Sequence, residues 1–194
     1  MIKAASREAA YNDTEATVNL PSLFSQFRRN GAVAMSAATG WYMHPLRVRY
    51  QETDQMGVVF HGNYVTWFEI GRTEWIRNAG YDYKSIEARG LLLPVIDLQC
   101  HYVLPARYDD MVVVCTRIAE CTPLRVSFES QVRRVDKEHF ASGLLPEGED
   151  LPGELLVQGG TKHVWVNPEW QPARLNKVMP ELYELIRAGT SSGV

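Results

Sequence analysis

Between Arg49 and Tyr64 the chain reads R-Y-Q-E-T-D-Q-M-G-V-V-F-H-G-N-Y, which sets an acid, Asp54, a turn-forming Gly57 and a helix start at Gly62-Asn63 close together. A carboxylate held just ahead of a helix N-terminus can act as nucleophile or general base, while unpaired N–H groups of the first turn stabilise a developing oxyanion. The same residue types also satisfy a plainer reading, a strand end followed by a tight turn and an Asn N-cap. Residue types alone favour the plainer one, because such caps are far commoner than active sites.

The order of the whole segment shifts that balance. T-D-x-M-G-V-V-F-H-x-N-Y runs straight into an aromatic helix, Tyr64 to Arg77, and is followed by L-L-L-P-V-I-D-L, P-A-R-Y-D-D and T-K-H-V-W-V. From Pro45 to Asn167 this resembles the hotdog-fold acyl-CoA thioesterases of the 4-hydroxybenzoyl-CoA thioesterase type. The resemblance implies an antiparallel sheet wrapped around one long buried helix, and hydrolysis of an acyl-CoA thioester with no metal and no organic cofactor. It implies that Asp54 is the catalytic carboxylate and that the backbone N–H of His61 serves the oxyanion. Whether Asp54 forms an acyl-enzyme anhydride or deprotonates water stays open. A sheet of about five strands leaves an open edge, which proteins cover or pair; the resemblance implies pairing into a homodimer or homotetramer with the sites at the interface.

Around Asp54 and His61, the candidate substrate-binding residues are Val59, Asn63 and Tyr64, with Met56, Trp67 and Phe68 as further candidates for an acyl channel. Each has a structural alternative: Asn63 as an N-cap, Tyr64 as a core aromatic. Histidine side chains change charge near neutral pH, so the His61 ring could add a hydrogen bond or a proton, or only its main chain could matter. Glu69 and Glu74 compete with Asp54, because another branch of hotdog thioesterases carries its acid on the helix. Here Arg72 and Arg77 follow them at i+3 and supply ion-pair partners. Coenzyme A carries phosphates, and Arg107, Arg133, Arg134 and Lys162 are the cations that could meet them, with solvated surface charge as the alternative for each.

Regular elements must hold these residues. Tyr64, Phe68, Gly71 and Trp75 recur at helical spacing, with Val65, Trp67, Ile70 and Ile76 filling much of the circumference, so the helix is predicted to be buried nearly all round. Gly80 suits the left-handed position beyond its end. Gly71 costs about 1 kcal/mol relative to Ala inside a helix, which predicts a strand approaching closely there. Strands are predicted over Val95–Val103, Met111–Ile118, Arg125–Val135 and Leu155–Val166, with Thr122-Pro123 as a turn. Gly159-Gly160 predicts a bulge or sharp bend. The segment Lys137 to Gly153, rich in Gly, Pro and acids, reads as a surface excursion between strands. Pro180 predicts the first turn of a short helix, and Gly189 onward a frayed tail. Several strands after one buried helix give an α+β architecture.

With 194 residues, 45% hydrophobic and 22% charged, the composition suits a globular domain. A net charge of -3 argues against nucleic acid as a partner, and no apolar run of about 18 residues marks a membrane span. Residues 1–43 mix acids, bases and small residues without a sustained period, and read as a disordered or loosely packed extension. The hotdog domain is expected over 44–170, with an insertion near 137–153, and 171–194 as a C-terminal tail with a short helix. The extension lacks the apolar segment of a secretory signal, and its acids fit a transit peptide poorly, so the expected location is cytoplasmic. Cys100, Cys115 and Cys121 form no C-x-x-C pair and read as free thiols. The histidines show neither H-x-H nor H-E-x-x-H spacing, so no metal site is predicted, and there is no G-x-S-x-G elbow. Two rival functions stand beside hydrolysis: a hotdog hydratase or dehydratase using His61 with Asp54 to move a proton, and a non-catalytic acyl-CoA-binding module.

Overall fold

The computed structural model describes residues 40–190. Its elements run β1 (Gly40–Arg47), a 3-10 turn (Tyr50–Glu52), α1 (Gly62–Asn78), α2 (Tyr83–Ala88), β2 (Val95–Tyr102) and β3 (Met111–Cys121). They continue with β4 (Arg125–Arg134), β5 (Gly143–Pro146), β6 (Glu154–Val164), α3 (Leu175–Val178) and α4 (Pro180–Ala188). The strands form one antiparallel sheet in the order β2-β6-β4-β3-β1-β5, and α1 packs on β1, β3, β4 and β6. This is the hotdog arrangement, an α+β fold built on one long helix.

The period of α1 explains its seat. Tyr64, Trp67, Phe68, Gly71, Arg72, Trp75 and Ile76 are buried, whereas Thr66, Glu69 and Arg77 face solvent and Val65 and Ile70 are half-buried. The helix therefore buries one broad stripe and is not enclosed on every side. At Gly71 an added Cβ would meet the side chains of Val114 and Thr116 on β3, the close approach its position predicts. The helix ends in a Schellman turn: Gly80 N–H donates to the Arg77 carbonyl, Tyr81 N–H donates to the Ile76 carbonyl, and Gly80 has φ +90°. Strand β3 lies centrally, and Val112 through Thr116 are buried without interruption, which is why this stretch shows no polar alternation.

Several expectations need correction. The sheet has six strands because β5 pairs with β1 from within the supposed surface excursion. There Leu145 and Leu151 join Phe140 in covering Trp41, Val113 and Cys115 on the face of the sheet away from α1. Strand β1 takes in Gly40–Met43, which composition had left with the extension; the rest of that extension lies outside the described residues. The register runs unbroken through Gly159 and Gly160, and the shifts fall at Val95/Asp97, Ile118/Glu120 and Val132/Arg133. A side chain at either glycine would run into a neighbouring strand's carbonyl, that of Gln99 or Phe128, so closeness of backbones accounts for them. Pro180 does open α4, but Gly189 is buried and Thr190 bridges Ile118 in parallel, so no fraying begins there.

Candidate active site

The T-D-x-M-G segment does not end a strand. Tyr50–Glu52 winds as a 3-10 turn, and an antiparallel bridge from Thr53 to Val59 closes a small loop around Asp54. Within it Asp54 N–H donates to the Val58 carbonyl at 2.9 Å, and Gly57 N–H to the Asp54 carbonyl at 2.9 Å. Gly57 sits at φ +73°, a conformation that costs glycine little. The Asp54 Oδ1 accepts the Met56 N–H at 2.8 Å, while Oδ2 has no donor among the described residues. The half-buried carboxylate is thus oriented through one oxygen and free at the other.

The chain then turns into α1. His61 occupies the N-cap position with helical angles, and its backbone N–H donates to no acceptor among the described residues. Its carbonyl accepts the Tyr102 hydroxyl at 3.1 Å, and its exposed ring lies tilted against Phe60 with centroids 4.2 Å apart and stands edge-on to Tyr102. An unpaired N–H at the positive end of a helix is suited to an anionic oxygen.

Asp54, Val59, His61 and Tyr64 line one cleft of about 260 Å³, closed on its other side by Tyr102 to Pro105. Met56 and Val58 complete the wall. Tyr64 belongs also to the core: its hydroxyl accepts the Ala106 N–H at 2.9 Å, and burial raises its pKa above the ordinary tyrosine value. Trp67 and Phe68, considered for an acyl channel, are buried in the core beneath. Asn63 is neither N-cap nor part of the cleft wall. It lies in the first turn of α1 and donates from Nδ2 to the Glu52 carbonyl at 2.8 Å.

Glu52 had no place in the sequence reading. It is buried, and its carboxylate accepts the Arg49 N–H at 2.7 Å, the Arg49 guanidinium at 2.9 Å and the Trp67 indole N–H at 3.0 Å. Burial alone would raise this carboxyl, but the Arg49 and Trp67 donors outweigh it and hold it below the usual range. The rival acids on α1 are engaged as expected, Glu69 by both arms of the Arg72 guanidinium at 2.6 and 2.7 Å and Glu74 by Arg77. Arg72 also donates to the Tyr83 hydroxyl at 2.5 Å, whose pKa burial pushes up to about 12. Of the candidate phosphate-binding cations, Arg133, Arg134 and Lys162 are committed to Pro152 and Gly153 carbonyls, to Asp110 and Glu154, and to Asp97. The Arg107 guanidinium has no such partner among the described residues.

A larger hollow of about 560 Å³ lies across β2, β3, β4 and β6, lined by residues such as Gln99, Glu129, Gln158 and Lys162. Of the expected residues it contains only Lys162, and it has none of Asp54, Val59, His61, Asn63 and Tyr64 and no helix start, so the smaller cleft is the chemically apt one. Among the described residues no group of three or more His, Cys, Asp or Glu could hold a metal, and all three cysteines are free. No helix among them is long and apolar enough to cross a membrane.

Comparison with known proteins bears on the family and the fold. The model of the thioesterase superfamily matches residues 56–140. Over 137 residues the chain is 31% identical to YneP of Bacillus subtilis, which carries a provisional acyl-CoA thioesterase name; the match covers 70% of this chain and 88% of YneP. It is 33% identical to the acyl-CoA thioesterase YbgC of Haemophilus influenzae over 94 residues, 48% of this chain and 69% of that protein. The crystal structure of a DHNA-CoA thioesterase from Staphylococcus aureus superposes with a TM-score of 0.64 and 29% identity, covering 75% of this chain and 87% of that one.

Proposed function

The chain belongs to the thioesterase superfamily, and from that premise we propose that it hydrolyses an acyl-coenzyme A to the free acid and coenzyme A, with Asp54 as the catalytic carboxylate. The observation that carries this reading is a carboxylate with one unengaged oxygen sharing a cleft with the unpaired His61 N–H at the start of α1. The thioester carbonyl would lie with its oxygen toward that N–H and its carbon toward Asp54. The carboxylate then either attacks the carbon, giving an anhydride that water cleaves, or removes a proton from the water that attacks. In both routes the C–S bond breaks and the sulfur leaves as thiolate. An oxyanion donor of this type is worth about 2.7–4 kcal/mol, and general-base assistance about 10²–10⁴ in rate.

Substrate delivery fits the surroundings. The cleft is smaller than the roughly 300–1,000 Å³ usual for ligand sites, and its outer wall, Tyr102 to Leu104, continues the exposed apolar row Val95, Ile96 and Leu98 of edge strand β2. Pairing of that edge with a second copy would cover the row and deepen the cleft, which supports a homodimer or a homotetramer built from it. Arg107 follows the cleft wall and is the candidate cation for the coenzyme A phosphates. Free thiols suit a reducing compartment, and a cytoplasmic location is part of the proposal. The hydratase alternative would pair the His61 ring with Asp54, but no hydrogen bond joins them; the ring rests on Phe60 instead.

The test follows thiol release from short, medium, long and aromatic acyl-CoAs by wild type and Asp54→Asn. Hydrolysis is expected for wild type, falling by at least about 10² in the variant without loss of fold. Equal turnover by the two would refute the role of Asp54. A folded wild type that hydrolyses none of the panel would favour hydration of enoyl thioesters or simple acyl-CoA binding.

A further inference from the structure

The loop that carries Asp54 has no hydrogen bond of its own to α1. Met56 N–H to the carboxylate, Asp54 N–H to Val58 and Gly57 N–H to Asp54 hold it internally, Thr53 donates back to the Tyr50 carbonyl, and Val59 N–H donates to the Ala106 carbonyl at 2.9 Å, so none of its bonds reaches the helix. The other half of the chemistry, the His61 N–H, belongs to the start of α1. What joins the two is Glu52. Its carboxylate receives the Trp67 indole from the second turn of α1 and both Arg49 donors; its carbonyl receives Phe60 N–H at 2.9 Å and Asn63 Nδ2 at 2.8 Å.

Resting on the reading of Asp54 and His61 given above, we propose that Glu52 is a positioning residue that, with Trp67 and Asn63, clamps the Asp54 loop to the helix start and so sets the carboxylate against the oxyanion donor. Glu52 does not line the cleft, so it touches no substrate and acts through the two groups that do. Burying a carboxylate is costly unless its donors are complete, and an apolar residue of similar size commonly serves stability as well or better. A role in orientation accounts for an acid here where stability alone does not. Two features support it. The donors approach from three places, the preceding turn, the residue before His61 and the body of α1, which fixes both the position and the tilt of the loop. The indole N–H explains, too, why a tryptophan stands at a site where any large apolar side chain would fill the core.

Misplacement of a reacting group by about 1 Å can cost about 10² in rate. Glu52→Gln keeps the shape and loses the charge that all three of its donors favour. Its kcat for acyl-CoA hydrolysis, per folded molecule, is expected to fall by about 10² while KM moves by less than about threefold. Trp67→Phe keeps the ring in the core and removes one donor, and it is expected to lose about tenfold in kcat with the same unchanged KM; it carries the test if Glu52→Gln does not fold. In the Asp54→Asn background, Glu52→Gln should lower the residual rate no further, because the carboxylate whose placement against the His61 N–H it sets is gone. An unchanged kcat in folded Glu52→Gln, or losses that multiply in the double variant, would reduce Glu52 to a residue of the fold and overturn the clamp. Full turnover by Asp54→Asn alone would overturn the underlying reading, and the clamp with it, and is told apart by needing no change at Glu52.

Discussion

His163 should make this protein lose stability in mildly acid solution. The residue is fully buried on β6, with Nε2 at 2.7 Å from Thr161 Oγ1 and its ring edge-on to Phe128 at 5.5 Å. Burial, and then the positive charge of Arg72, lower its pKa from the ordinary 6.5 to about 4. Above pH 6.5 the imidazole is neutral in the folded and unfolded chains alike, and it contributes nothing to pH dependence. Below that value the unfolded chain takes up a proton that the folded chain refuses. Stability is therefore fully present above the unfolded pKa and falls as pH drops toward the folded one. At about 1.4 kcal/mol per pKa unit, the window from pH 6.5 to 4 is worth about 3 kcal/mol. The variant His163→Gln keeps a hydrogen-bonding group for Thr161 and cannot titrate. Urea unfolding of both proteins at several pH values, at one protein concentration so that assembly is held constant, should give a stability difference that is flat above pH 7. It should then shift by about 3 kcal/mol in favour of the variant as pH approaches 4. Parallel curves across that range would refute the argument and mean that the imidazole is charged, or solvated, in the folded protein.

Gly71→Ala sets a gain of about 1 kcal/mol in helix propensity against overpacking that costs about 1–3 kcal/mol, since the new Cβ would lie 2.7 Å from Val114 Cγ1 and closer still to Thr116 Oγ1. A lower urea midpoint is expected, and a higher one would mean that α1 can lift from β3 freely. Ile96→Lys places a charge on the exposed edge of β2; sedimentation should show smaller species than wild type and thiol release should fall with them. An unchanged assembly would remove β2 as the pairing edge.

Much of the fold could be read from the chain because periodicity and burial coincide. The helical spacing of Tyr64, Phe68, Gly71 and Trp75 is the stripe that meets the sheet, and Gly71 marks its closest approach. The unbroken apolar run of β3 records burial on both faces. The failures are equally physical. Strand β5 is a segment of Gly143–Pro146 set in a polar, glycine-rich stretch, and it becomes a strand only because β1 offers an unpaired edge and Leu145 can cover Trp41. That is tertiary context overriding local pattern. At Gly159-Gly160 a pair of glycines is compatible with a bulge and with close backbone approach, and only the neighbouring strands decide between them.

The candidate site divides along the same line. Asp54, Val59, His61 and Tyr64 are near neighbours in the chain, so a turn followed by a helix start was enough to bring them into one cleft. The opposite wall, Tyr102 to Pro105, comes from about 40 residues away and carries no local mark. Glu52 was hidden for a different reason. In sequence it is one acid among charged neighbours, and solvated charge is the ordinary fate of such a residue. Its meaning depends on Trp67 having an N–H to give and on Asn63 turning from the cap toward a carbonyl, and both read from sequence as an apolar filler and a cap. Residues that meet within one turn can thus be read from residue order. The hydrogen bonds that tie that turn to the helix run between elements, and those become visible only when the helix is seated on its sheet.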